Sequence, residues 1–193
     1  MRQISPLDAA GSLGCGRLAL EYPQKDMSEA DAADAGSKAL IGLVGCVKTK
    51  LPHAAAARDL YTSPLFRGRR AAIDPRTDTW FVLSAEYGLV KPETVIEPYD
   101  LALANMPVSA RRDWSRTIVD QLRSQLGDLG NFRFEIHAGH AYYGYGLEDA
   151  LRTAHADVSV PTRGMSQGRQ LRYYAHGAAQ HFTRQGSLGS ARR

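Results

Sequence analysis

A chain of 193 residues, 44% of them hydrophobic, is long enough for one domain with its own core, and 24 Lys+Arg against 20 Asp+Glu leave a formal charge of +4. No apolar run approaches the roughly 18 residues of a membrane span. Arg2 is not followed by the apolar segment of a secretory signal, and two cysteines, Cys15 and Cys46, are too few for a disulfide framework, so a reducing cytoplasm is expected.

Residues 1–37, with "SEADAADAGS", hold no sustained period and read as a mobile N-terminal arm. "ALIGLVGC" (39–46) is a continuous apolar run, as in a strand covered on both faces. The stretch 52–72 is expected to be helical in part, interrupted by Pro64 and Gly68. "TWFVLSA" (79–85) is a second strand. "SARRDWSRTIVDQLRSQLGDLG" sets Trp114, Ile118, Leu122 and Leu126 at i, i+4 spacing, with Ser109 as N-cap and Gly127 or Gly130 as the stop. "FRFEIHAG" (132–139) alternates and then ends in glycine, a third strand. "GLEDALRTAHA" is a helix with Leu147, Leu151 and Ala154 on one face, and "ADVSVP" (156–161) is a fourth strand closed by Pro161. "SQGRQLRYYAHGAAQHF" is a last helix with an arginine-rich side, before a flexible basic tail at 184–193.

Strands alternating with helices predict a single α/β domain over 38–183. Its mainly parallel sheet would carry helices on both faces, a three-layer sandwich. Right-handed crossovers would bring the residue runs that follow the strands to one edge, where ligands bind in open α/β sheets. Charge points the same way. No acidic residue follows Asp157, while Arg163, Arg169, Arg172, Arg184, Arg192 and Arg193 do, which favours an anionic partner.

Four polar runs are expected at that edge. After the first strand, Lys48 and Lys50 can direct ammonium groups to a phosphate, with Thr49 as a further donor. Cys46 beside them reads as a small buried hydrophobe, or as a nucleophile. After the second strand, Ser84 to Asp100 forms a wall. Glu86 is a candidate general base, Tyr87 and Tyr99 offer flat faces for a base, and Asp100 is a second carboxylate that can share acid and base roles with Glu86. The duller reading makes Glu86 a local cap, Tyr87 a packing residue and "EPYDL" a turn. After the third strand, His137 and His140 suit hydrogen bonding or proton transfer rather than a metal, because no second ligand cluster completes a zinc set. Tyr142, Tyr143 and Tyr145 form a stacking surface or a core aromatic cluster. After the fourth, Arg163, Gly164, Ser166, Gln167 and Gly168 precede or open the last helix, whose free N–H groups favour an anion. No Walker or dinucleotide-binding spacing is present, and no cofactor is expected.

These segments resemble a bacterial family of uncharacterised domains. Its motifs are a strand ending in C-x-K-x-K (Cys46 to Lys50), L-Y-x-S-x-L-F (Leu60 to Phe66), L-S-A-x-Y-G-L-V (Leu83 to Val90) and I-x-P-Y-D (Ile96 to Asp100). "RGMSQGRQLRYY" fits its closing helix, so the resemblance spans about 39–176. More remotely, the Tyr-Gly-Leu and Pro-Tyr block is similar to a segment of the YaaA peroxide-stress proteins. It is also similar to a domain of archaeal tRNA-guanine-modifying enzymes likened to uracil-DNA glycosylases. Lys91 stands where the YaaA family has arginine, and Asp100 replaces the arginine after Pro-Tyr. The resemblance implies a nucleic-acid or nucleobase context.

The leading expectation is a nucleotide- or nucleic-acid-binding protein acting on an N-glycosidic bond. Lys48, Lys50, Arg163 and Ser166 would hold phosphate, and Tyr87 or Tyr99 would stack a base. Glu86 or Asp100, with His137 or His140, would do the acid–base work. The alternatives are a non-catalytic DNA- or RNA-binding protein of stress or defence, whose affinity would fall with salt, and a sensor of free nucleotide.

Overall fold

The computed structural model describes residues 38–77 and 79–186, with side chains as far as His176. The arm assigned to 1–37 and residues 187–193 of the tail lie outside the described residues. In chain order the strands are β1 (Ala39–Gly45), β2 (Ala55–Ala56), β3 (Trp80–Ser84), β4 (Gly88–Val90), β5 (Val95–Ile96), β6 (Phe132–His137) and β7 (Asp157–Ser159). The helices are α1 (Ala57–Leu60), α2 (Pro64–Ile73), α3 (Val108–Leu126), α4 (His140–Tyr143), α5 (Leu147–Thr153) and α6 (Gln167–Gly186).

Five strands form one sheet in the order β4-β3-β1-β6-β7, parallel except for the β3/β4 hairpin. A small antiparallel pair, β2 with β5, stands apart from it. The fold is α/β, with a mostly parallel sheet and helices packed against it. β1 is central because both its faces are apolar: Ile41, Leu43 and Val44 are all but fully buried. Register places Gly42 beside Trp80 and Glu135, and Val44 beside Val82 and His137, so these residues share one face. α2 lies on that face so closely that a Cβ on Gly42 would meet Ile73 Cγ1 at 2.2 Å. α6 packs on α2 in the same way, for a Cβ on Gly68 would sit 2.7 Å from Tyr174 Cβ. On the other face Gly45 approaches Ala138 and Tyr142, and Tyr142 meets Trp114 of α3 edge-on. Ile118, Leu122, Leu147 and Leu151 of α3 and α5 join the core from that layer.

Several boundaries differ from the sequence expectation, each for a local reason. Pro64 opens α2 instead of interrupting it, since a first-turn residue needs no N–H donor, and Ser63 Oγ caps the turn by accepting from Phe66 N at 3.2 Å. α3 begins after Pro107 rather than after Ser109, and Gly127, at φ 78°, ends it. β7 is only three residues long, and β2, β4 and β5, of two or three residues each, are too short to show a period in the sequence. The chain after β3 turns at Ala85–Tyr87 and runs back antiparallel as β4, so the polar wall begins as a hairpin.

Candidate functional site at the strand ends

A cleft of about 290 Å³ opens at the carboxyl end of β1, between the run Cys46–Lys50, the segment Asp100–Asn105 and Tyr142. Behind Cys46 and Tyr142, which line it, lies a cluster of hydroxyl groups around the Cys46 thiol. Ser84 Oγ accepts from the backbone N–H groups of Tyr87 (3.0 Å) and Glu86 (3.3 Å), so its own proton goes to Tyr99 Oη at 2.8 Å. Tyr99 in turn donates to Cys46 Sγ at 3.2 Å. Tyr142 Oη lies 2.9 Å from the same sulfur, and Tyr61 Oη lies 2.9 Å from Tyr99 Oη. A directional chain of hydrogen bonds therefore runs from the β3/β4 turn to the thiol.

Burial pushes the hydroxyls of Tyr61, Tyr99 and Tyr142 well above the ordinary phenol range, and the neighbouring Cys46 adds to the effect in each. All three stay protonated at neutral pH and remain donors. Above them the Lys50 ammonium sits 4.1 Å from the centre of the Tyr99 ring and reaches Lys48 O at 3.3 Å. Tyr87, half exposed, meets Tyr99 edge-on at 5.5 Å. Lys48 and Asp100 are exposed on the cleft walls.

Beneath this cluster lies a cation that the sequence reading did not single out. Arg69 of α2 is 3% exposed. It donates to Gly45 O at 3.2 Å and to Gln170 Oε1 at 3.0 Å, both neutral, and its Nε has no partner. No carboxylate pairs with it among the described residues, and burial pulls its guanidinium below the ordinary arginine range, while Tyr174 and Tyr142 oppose that shift. Its place was legible in the pattern, because Arg69 stands four residues after Leu65 and four before Ile73, on the buried stripe of α2. Leu101–Asn105 carried no chemical signal, and Tyr61 depends on a fold-back that no local pattern announces.

The nominated residues fall into two groups. Cys46, Lys48, Lys50 and Asp100 line the cleft, with Ser84, Tyr99 and Tyr87 behind them. Glu86 is exposed and does not line it, engaging the cluster only through its backbone. His137 is 1% exposed on the α6 side of the sheet, with Nδ1 2.9 Å from Tyr174 Oη and Nε2 2.9 Å from Glu135 Oε1. Period two explains this, since Glu135 and His137 share a face opposite Phe134 and Ile136. His140 packs on Tyr143 and Tyr145. Arg163 donates to Glu148 at 2.6 Å and lies over the Tyr143 ring, and Gly164 turns at φ 69°. Ser166 and Gln167 are exposed at the start of α6. The strand ends thus share an edge, but Glu86, His137 and Arg163 do not join Lys48 on the lining of this cleft.

Burial disfavours ionised Glu135, yet hydrogen bonds from His137 and Arg76 outweigh it and hold the carboxyl below its usual range. A carboxyl depressed in the native state adds stability that is complete above its unfolded pKa, about 4.3, and is lost as pH falls through the native value. Glu135→Gln is therefore expected to flatten the acid limb of stability, measured by urea unfolding from pH 7 down to about pH 3. An unchanged acid limb would remove this role.

A family model described as a family of unknown function (DUF6884) matches residues 41–176, and the chain belongs to that family. No curated protein and no solved structure matches the chain.

Proposed function

We propose that this member of the DUF6884 family binds a nucleotide, free or within a nucleic-acid strand, in the cleft at the end of β1. We propose further that it acts there on the N-glycosidic bond. The observation that carries the reading is the gathering of Lys48, Lys50 and Asp100 on one cleft of about 290 Å³, close to the lower end of small-ligand pockets. The two ammonium groups suit a phosphate. The Asp100 carboxylate suits the cationic sugar that forms as a base departs, or the water that replaces it. The protonated hydroxyls of Tyr99 and Tyr142 order the thiol beside that position. The remote resemblance to YaaA proteins and to the tRNA-guanine-modifying domain implies a nucleic-acid or nucleobase context, in keeping with a nucleotide ligand.

One observation favours the second reading, a non-catalytic DNA- or RNA-binding protein. Neither Glu86 nor His137 lines the cleft, so Asp100 has no nominated acid or base beside it. Base release separates the two readings. Incubated with nucleotides and single-stranded oligonucleotides, the parent protein is expected to liberate free base, detected by chromatography. Asp100→Asn is expected to lower that release by about 100-fold or more while retaining affinity. Binding without release by the parent protein selects the second reading, and no binding at all overturns both.

A further inference from the structure

A second cleft, about 640 Å³, lies between α3 and the Gly144–Thr153 region, away from the thiol cluster. Arg112, Arg116 and Arg123 of α3 line it. At 1.5 Å rise per residue they extend over about 16 Å of helix. That is too long for one phosphate and suits several in a row. On the cleft lining lies Ser115, 2% exposed, whose Oγ has no hydrogen-bond partner among the described residues. A buried hydroxyl without a partner is costly, and any polar atom that reaches it from the cleft side, of a water or of a ligand, removes that cost. Tyr145 adds an aromatic wall, its ring 4.7 Å from the Arg111 guanidinium.

Arg111 also links the two clefts. It donates to Ala104 O at 2.6 Å and to Met106 O at 2.9 Å, and Ala104 lines the strand-end cleft. From these contacts we infer that the α3 cleft holds the phosphodiester backbone of a single-stranded nucleic acid, one unit of which enters the strand-end cleft. The inference rests on the nucleotide reading above for the chemistry of its ligand. The arginines' present partners are weak: Arg116 pairs with Asp113 with both side chains largely exposed, and Arg123 is 3.8 Å from Asp120. Asp120 and Asp149 also line the cleft and oppose a polyanion, so the arginines act against a built-in repulsion.

The test uses the full chain, labelled single-stranded DNA and RNA 12-mers, a nucleoside monophosphate and a polyglutamate peptide. The R112Q/R116Q/R123Q variant exchanges exposed side chains and is expected to fold. It should bind the oligonucleotides about tenfold or more weakly, with a salt slope shallower by about 2, as expected for three lost contacts to a single strand. Its affinity for the monophosphate should change less than twofold. Asp149→Asn should tighten oligonucleotide binding. A preference between the DNA and RNA arms would name the polymer. Unchanged oligonucleotide affinity and slope in the triple variant would overturn the inference, as would equal binding of polyglutamate or failure of the parent protein to bind either 12-mer. Loss of oligonucleotide binding in the triple variant, with no monophosphate binding by the parent protein, would instead overturn the strand-end reading and leave this cleft standing.

Discussion

The double variant K48A/K50A is expected to bind a nucleoside monophosphate about 100-fold more weakly than the parent protein, or about 2.7 kcal/mol. Each ammonium supplies one charge-assisted contact of about 1.5–3 kcal/mol, and exposure of the cleft brings the total slightly below the sum of the two lower limits. Lys48 is exposed, so its truncation should barely affect folding. Lys50 rests on the Tyr99 ring at 4.1 Å, a contact of about 0.5–1 kcal/mol, so a small loss of stability accompanies the loss of affinity. Calorimetric titration with the monophosphate and with its nucleoside isolates the phosphate contribution. The nucleoside should bind the two proteins within a few-fold of each other. Equal monophosphate affinity would mean that the lysines serve no phosphate.

Tyr99→Phe is expected to destabilise the protein by about 2–4 kcal/mol in urea unfolding. The lost oxygen accepts from Ser84, donates to Cys46 and lies 2.9 Å from the Tyr61 hydroxyl, so one substitution strands several polar groups at a partly buried position. A buried donor or acceptor without a partner costs about 1–3 kcal/mol, and partial rearrangement keeps the total below the simple sum. Tyr87→Phe is the matched control. Its hydroxyl lies on the surface, 3.4 Å from Glu97 O, and its removal should cost about 0.5 kcal/mol or less. If the two variants proved equally stable, the hydroxyl chain would contribute nothing to the fold.

Much of the architecture was legible in the sequence because each long element has a single dominant period. The apolar runs of β1 and β3, the alternation of β6 and the i, i+4 spacing of α3 each answer to one rule. β4 escaped because Gly88-Leu89-Val90 is too short to show a period and lies among residues that all signal a turn. Pro64 is ambiguous in the sequence because proline both breaks helices and begins them, and the deciding feature is the Ser63 cap before it. The strand-end site was legible in part. Lys48, Lys50 and Asp100 follow strands or motifs that topology carries to one edge. His137 was assigned to that edge from its position at the end of β6, although the pairing of Glu135 with His137 follows from the same alternation that revealed the strand. Arg69 was hidden by composition, since "FRGRR" reads as a solvated run unless the buried stripe of α2 is traced through it.

The most direct measurement is a crystal structure of the protein grown with a saturating nucleoside monophosphate. Density is expected in the cleft between Lys50, Asp100 and Tyr142, with the phosphate against Lys48 and Lys50 and the sugar facing Asp100. An empty cleft at saturation, or a nucleotide bound only elsewhere on the surface, would contradict the nucleotide reading.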